Sequence, residues 1–202
     1  MALEFLARKP WMGNEDSNSV SHLLEEVREG RTGAFDDLFE LVHAELRQVA
    51  QHKWPETPHG QTLQPTELVH EVYMRLIRKA DRDWKNRSHF FAIAARAMHD
   101  IIVERARKHD AAKRRAPGQR VPTYEISVSR DTPPVDILDL EDALTRLRAV
   151  DGACYDVTIL RVYGELTGEE TADAMRVSAS TVDRKWKYAK AWLHRELSGS
   201  YQ

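Results

Sequence analysis

Apolar side chains recur along this chain with the period of an α-helix, and that recurrence limits the available folds more than any other feature. Phe35, Leu38, Phe39, Val42, Leu46, Val49 and Ala50 sit at i, i+3, i+4 and i+7 spacings, which places them on one helix face. A second stripe, Leu68, Val69, Val72, Tyr73, Leu76 and Ile77, follows a break at 52–61 marked by Pro55, Pro58 and Gly60. Pro65-Thr66 gives that helix its start. A third stripe runs from Ser88, expected as the N-cap, through Phe91, Ala94, Ala95, Met98, Ile101 and Ile102. Three amphipathic helices with short connections can bury a common core as a small bundle. The 9 Gly and 8 Pro among 202 residues fall below the roughly 12% of average usage, which disfavours low-complexity disorder and a turn-rich β-sandwich.

Residues 116–134 carry no sustained helical period and hold four prolines, from Pro117 to Pro134. This is the linker of the chain, and its length reaches at most about 60 Å when extended. Helical periodicity resumes at Ile137, Leu140, Leu144 and Leu147, then at Val157, Leu160 and the run to Tyr163, closed by Gly164. The expected fold is all-α: two small helical domains, 20–115 and 136–198, joined by a flexible linker at 116–135.

The second domain ends in helix-turn-helix grammar. Thr167 and Glu170 fit an S/T-x-x-E capping box, and a short helix with Ala172 and Met175 follows. The chain turns at Arg176-Val177 and restarts at Ser178, a second N-cap. The last helix keeps Val182, Trp186, Ala189 and Leu193 on one face and offers Asp183, Arg184, Lys187 and Lys190 on the other. Such a helix enters the major groove by its N-terminal end. Arg and Lys suit guanine edges there and Asp suits cytosine N4, whereas Lys190 and Arg195 suit phosphate. The plain alternative is an αα-hairpin packed as core. Trp186 and Trp192 are expected at the core or its rim.

The formal net charge of −2 hides a segregation. Residues 1–60 carry 6 basic and 11 acidic side chains, and residues 82–120 carry 11 basic and 4 acidic. Residues 121–175 carry 4 basic and 12 acidic, and residues 176–202 carry 6 basic and 2 acidic. Two basic blocks in an acidic chain point to two contacts with a polyanion, against the alternative of solvated Lys/Arg-rich faces. The same charges predict that the acidic 121–175 segment can pack on the basic 82–120 block in the free chain.

Several chemistries lack their residues. Cys154 is the one cysteine, so no internal disulfide forms; a reducing, cytoplasmic setting and a buried, inert thiol are expected. No apolar run approaches the roughly 18 residues of a membrane span, and MALEFLARKP lacks the pattern of a secretory signal. No C-x-x-C or H-E-x-x-H occurs, and His70-Glu71 is followed by Met at 74. Neither phosphate-binding glycine motif is present. No cofactor, no metal and no enzymatic activity are expected.

Leu63-Gln64-Pro65-Thr66-Glu67-Leu68-Val69-His70-Glu71-Val72-Tyr73-Met74-Arg75-Leu76 resembles the region-two helix of bacterial sigma factors. The likeness is to an extracytoplasmic-function (ECF) subgroup with the pattern L-x-P-T-x-L-V-H-E-x-Y-x-R-L. Trp84-Lys85-Asn86-Arg87-Ser88-His89-Phe90-Phe91 resembles that subgroup's next element, and Leu166 to Leu193 resembles its region four. The resemblance implies that region two binds the clamp helices of core RNA polymerase and captures the unwound −10 element. Region four would bind the polymerase flap and read the −35 duplex.

On that reading, polymerase contacts fall on Glu67, His70, Glu71, Arg75 and Arg78. Strand capture needs planar groups for stacking and cations for the backbone. Trp84, Asn86, Arg87, His89 and Phe90 supply these at the mouth of the basic helix, and Arg96, His99, Arg105, Arg107 and Lys108 extend it. Phe91 belongs to the core stripe, and Phe90 is open to either role. The cluster Lys113-Arg114-Arg115 suits phosphate without sequence preference. The family's −35 readers fall on Asp183, Arg184, Lys187 and Tyr188, with Ser180, Thr181 and Lys190 completing the set. Arg176 stands where the family's turn usually has Gly, and Gly168 occupies a first-turn position that favours a better helix former. The linker's reach matches roughly 17 base pairs at about 3.4 Å each, near full extension.

The expected function is an ECF-type sigma factor with core RNA polymerase and promoter DNA as partners. Its rivals are a helix-turn-helix regulator that does not bind polymerase, which has no use for the 63–76 motif, and a nucleic-acid enzyme such as a recombinase. The acidic N-terminal extension and the linker offer surfaces for an anti-sigma factor or a kinase, and no residue identifies one.

Overall fold

Most helices here begin where a side chain can satisfy their open N–H groups. The computed structural model describes residues 14–53, 64–78, 84–115, 125–126 and 135–199. Among these, eight helices run in order: α1 (Asn14–Arg28), α2 (Ala34–Lys53), α3 (Pro65–Ile77), α4 (Arg87–Arg115), α5 (Ile137–Val150), α6 (Gly152–Tyr163), α7 (Gly168–Met175) and α8 (Ala179–Gly199). Two short strands, β1 (Glu125–Ile126) and β2 (Val135–Asp136), pair antiparallel with Ile126 opposite Val135. The all-α class holds, with this strand pair as an addition that falls in and beside the expected linker. The rest of 116–134, the break at 54–63 and the side chains of Lys113 and Arg115 lie outside the described residues.

Side-chain caps account for the starts of α4 to α8. Asp136 Oδ1 accepts from Leu138 N at 2.8 Å, and Asp151 Oδ1 accepts from Cys154 N at 3.0 Å. The capping box is complete: Thr167 Oγ1 accepts from Glu170 N, and Glu170 Oε2 accepts from Thr167 N. Ser178 Oγ accepts from Thr181 N at 3.2 Å. The N-cap of α4 is Asn86 rather than Ser88, its Oδ1 accepting from His89 N at 2.8 Å. A longer acceptor one position before the helix thus does the work expected of the serine.

At the end of α7 the backbone closes a Schellman turn. Arg176 N–H donates to Asp173 O, and Val177 N–H donates to Ala172 O. Arg176 takes the left-handed conformation itself, at φ 57° and ψ 44°. The left-handed geometry that glycine usually supplies is therefore taken by an arginine, at some backbone strain.

α1 packs on α2, α2 on α3 and α3 on α4. Val20, Leu24 and Val27 bring α1 into the core although the sequence periodicity starts only at Phe35. α8 closes over α5, α6 and α7. α4 joins the two groups, packing on α1 and α3 and also on α5, α6 and α7, so one continuous core runs through both.

The reason lies in a second face of α4. Beside the expected stripe, Ala92, His99, Val103 and Ala106 are buried at helical spacing with Ala95, which the stripe already includes. The small side chains of Ala92, Ala95 and Ala106 permit close approach. A Cβ added at Gly164, just after α6, would lie 2.8 Å from Ala95 Cβ. Gly164 has φ −100°, so space and not backbone freedom requires the glycine.

Candidate nucleic-acid interface

The last helix, α8, is positioned from behind. Val182, Trp186, Ala189, Trp192 and Leu193 are buried, which turns the opposite face of α8 outward. Ser180, Asp183, Arg184, Lys187 and Tyr188 are exposed there, and Thr181 and Lys190 are half-buried at its edges. Lys190 Nζ sits 5.5 Å from the Trp186 ring centre. Burial, then the cations Arg161 and Lys187, hold its pKa below the ordinary lysine value.

Two side chains missed by the sequence reading fix this helix. Lys185 donates to Asp151 Oδ2 at 2.5 Å, tying α8 to the N-cap of α6. That hydrogen bond is the main cause lowering the Asp151 pKa and raising that of Lys185. Arg161 donates to Leu166 O at 2.8 Å and covers the Trp186 ring at 5.7 Å. Neighbouring Cys154 is 1% exposed, and burial followed by the Asp151 contact pushes its thiol up to about 11. A thiol with that pKa is inert.

The expected polymerase face of α3 forms one polar surface. Glu67, His70 and Arg78 are exposed, Glu71 and Arg75 are half-buried, and His70 stacks on Tyr73 with ring centres 6.3 Å apart. Arg75 bridges Glu104 at 3.0 Å and Asp100 at 3.8 Å. Arg105, expected with the strand-capture set, pairs instead with Glu71 and lies 3.6 Å from Glu67. It belongs to the α3 surface.

The strand-capture set divides sharply. Trp84 and Phe90 are core residues, 1% and 0% exposed, and their rings meet edge to face at 5.4 Å with Phe35 on the far side of Trp84. Trp84, expected to stack on the strand, is instead part of the core, and Phe90, open to either role, takes the core one. An aromatic at the mouth of a helix serves equally well to seal the bundle. His99, expected as a surface cation, is also buried, at 4% exposure. Its ring meets Tyr163 edge to face at 4.8 Å.

Asn86, Arg87, Arg96, Arg107 and the buried His99 meet carboxylates of the C-terminal helices. Asn86 Nδ2 donates to Asp173 at 2.9 Å, and Arg87 Nη1 donates to Glu170 at 2.9 Å. Arg96 donates to Asp156 at 3.2 Å, and His99 Nε2 lies 2.8 Å from Glu141. Arg107 Nη2 is 3.7 Å from the other oxygen of Glu141. Arg87 also donates to both oxygens of Glu45 on α2, at 2.8 and 2.9 Å, and its guanidinium covers the Phe91 ring at 4.6 Å. His89 accepts from Lys85 N at 3.3 Å, and Lys108 bridges Glu104 at 2.8 Å along the helix. A cleft of about 340 Å³ between His99, Arg107 and Glu141 opens this junction to solvent.

These carboxylates were visible only as an acidic block, because nothing local assigns Glu141 or Glu170 to a partner on α4. The expected packing of the acidic block on the basic one is what the chain adopts.

Among the described residues, no His, Cys, Asp and Glu cluster is arranged to hold a metal ion. No helix among them is long and apolar enough to cross a membrane. A search of curated proteins finds no match. A family model described as ECF sigma factor matches residues 17–199, which takes in every described helix but the first three residues of α1. With the two helical groups and the outward-facing α8 in view, that match decides the matter: the chain belongs to the ECF sigma factor family, whose members act in transcription initiation and are not enzymes.

Proposed function

We propose that the chain binds core RNA polymerase through region two, residues 20–115, and reads a two-element promoter with both helical groups. Residues 116–135 would serve as the linker and residues 136–198 as region four. The polymerase contact is the α3 face of Glu67, His70, Glu71, Arg75 and Arg78, where charged groups on one surface suit hydrogen bonds to a partner helix. The −35 duplex is read by Ser180, Thr181, Asp183, Arg184, Lys187, Tyr188 and Lys190 on α8. The −10 strand follows Asn86, Arg87, His89, Arg96, Arg107 and Lys108 along α4.

The observation that carries this reading is the outward face of α8, held by core on one side and capped by Ser178 at the end that enters a groove. An anti-sigma factor or a kinase would act on surfaces outside these sets.

The test is co-elution of the full chain with bacterial core RNA polymerase on gel filtration. A stoichiometric complex is expected, and Glu71→Lys lowers core affinity about tenfold or more, the loss of a charge-assisted contact, while leaving duplex binding intact. Failure of the wild-type chain to co-elute removes the polymerase assignment and leaves a duplex-binding regulator. Unchanged affinity in the variant means the α3 face is misassigned.

A further inference from the structure

The cations and amide along α4 are matched one after another by carboxylates from three different C-terminal helices. Residues 87 to 107 span about 30 Å of helix. Asp173 and Glu170 from α7 meet its start, Asp156 from α6 its middle, and Glu141 from α5 its far end. This is a row of anions laid along a basic helix, the arrangement a nucleic-acid backbone presents. The row is partly wet: Arg96 and Asp156 are 47% and 39% exposed, and the cleft beside Glu141 is open to solvent.

We propose that Glu141, Asp156, Glu170 and Asp173 occupy on α4 the places of promoter-strand phosphates, so that the closed chain and a single strand compete for one set of donors. The inference rests on the reading of α4 as the strand-binding helix, given above.

Two further observations fit a contact that opens. The Tyr163 hydroxyl is buried at this junction without a hydrogen-bond partner, and opening returns it to water. Asn86 uses Oδ1 to cap its own helix and Nδ2 to reach Asp173, so opening frees the amide donor without undoing the cap. The competing strand takes the place of the carboxylates, and the C-terminal helices move away with their own core of Leu140, Leu144, Val157 and Leu160.

The test compares two full-length variants of equal net charge. Glu141→Gln, Asp156→Asn, Glu170→Gln and Asp173→Asn together remove the proposed mimic; Gln at 170 still completes a capping box. Glu25→Gln, Glu29→Gln, Glu40→Gln and Asp142→Asn remove four exposed carboxylates elsewhere. Affinity is read by fluorescence anisotropy on a labelled 12-nucleotide single strand, and chain dimensions by small-angle scattering with and without the strand.

The mimic variant should bind the strand about tenfold more tightly than the charge-matched control, because carboxylates that hold the largely buried Arg87 and His99 and the exposed Arg96 stop competing. Wild-type chain should expand when the strand is added. Equal affinities in the two variants, or no expansion on binding, overturns the proposal while leaving strand binding by α4 in place. Absence of strand binding by all forms overturns the strand-binding reading as well. Should the fourfold variant fail to fold by circular dichroism, Asp156→Asn with Asp173→Asn, both at the rim, gives the same comparison with a gain of about threefold.

Discussion

α4 and α8 carry the same kinds of side chain, and a reading by residue type treats them alike. On α8 the candidate readers are turned outward, with Arg184, Lys187 and Tyr188 exposed. On α4 the candidates are covered in part by the protein itself: Arg87 lies between Glu45 and Glu170, and His99 lies beneath α5 and α6. One helix presents its polar residues and the other spends them on its own fold. The difference teaches that a basic helix becomes a DNA surface only when the rest of the chain leaves it uncovered. That is a property of tertiary packing and not of the helix.

The largest expected effect falls on Arg87. Arg87→Ala should lower stability by about 3–5 kcal/mol, because it removes the guanidinium that bridges Glu45 and Glu170 and covers the Phe91 ring. Glu45 is 5% exposed and Arg87 11%. Urea denaturation checks this, and a loss below about 1 kcal/mol would mean the pair behaves as a surface salt bridge.

Gly164→Ala probes the same junction from its apolar side. Its Cβ would strike Ala95 on α4 and Leu166 nearby. Overpacking of this kind costs about 1–3 kcal/mol. The variant should unfold earlier and scatter as a larger particle, because the two groups can no longer close to their present distance. Unchanged dimensions and melting temperature would show that the junction yields freely.

Much of this fold is legible in the sequence, and the illegible part has one physical cause. The stripes of α2, α3, α5, α6 and α8 and the caps Thr167, Glu170 and Ser178 stand where local periodicity and hydrogen-bonding chemistry put them. Those signals act within a few residues. Trp84 and Phe90 carry no local sign of whether a base or another core ring will face them. Ala92, Val103 and Ala106 look like the neutral side of an amphipathic helix until a second group of helices covers them. α1 escaped because Val20, Leu24 and Val27 make a stripe of only three positions among polar neighbours. Arg176 shows the reverse case, in which a residue poorly suited to the left-handed region still adopts it because the Schellman hydrogen bonds on either side demand it.

On α8 the expected change is in binding and not in stability. Arg184→Ala should leave the urea midpoint within about 0.5 kcal/mol of wild type, as for other exposed sites. It should weaken binding to the cognate −35 duplex by about 1–3 kcal/mol and relax specificity there. A competition titration against random duplex separates the outcomes, since equal loss on both sequences means that Arg184 touches phosphate and reads no base.

The smallest effect is a pH dependence of the junction through His99. Burial works against charge on this ring, and the hydrogen bonds to Asp100 and Glu141 outweigh it, so its pKa lies above the ordinary value. The groups facing it are Asp100 on α4, Glu141 on α5, and Tyr155 and Tyr163 on α6, with Arg107 on the far oxygen of Glu141. Because the folded chain holds the proton more tightly than the unfolded one, the contribution to folding stability is fully present below the ordinary histidine value of about 6.5. It is lost as pH rises through the raised value. Urea midpoints measured from acid to mildly alkaline pH should therefore fall on the alkaline side, and His99→Gln should flatten the profile. A midpoint that rises with pH through this range would mean that desolvation governs the ring, and that His99 is held neutral between the two helical groups as a packing residue.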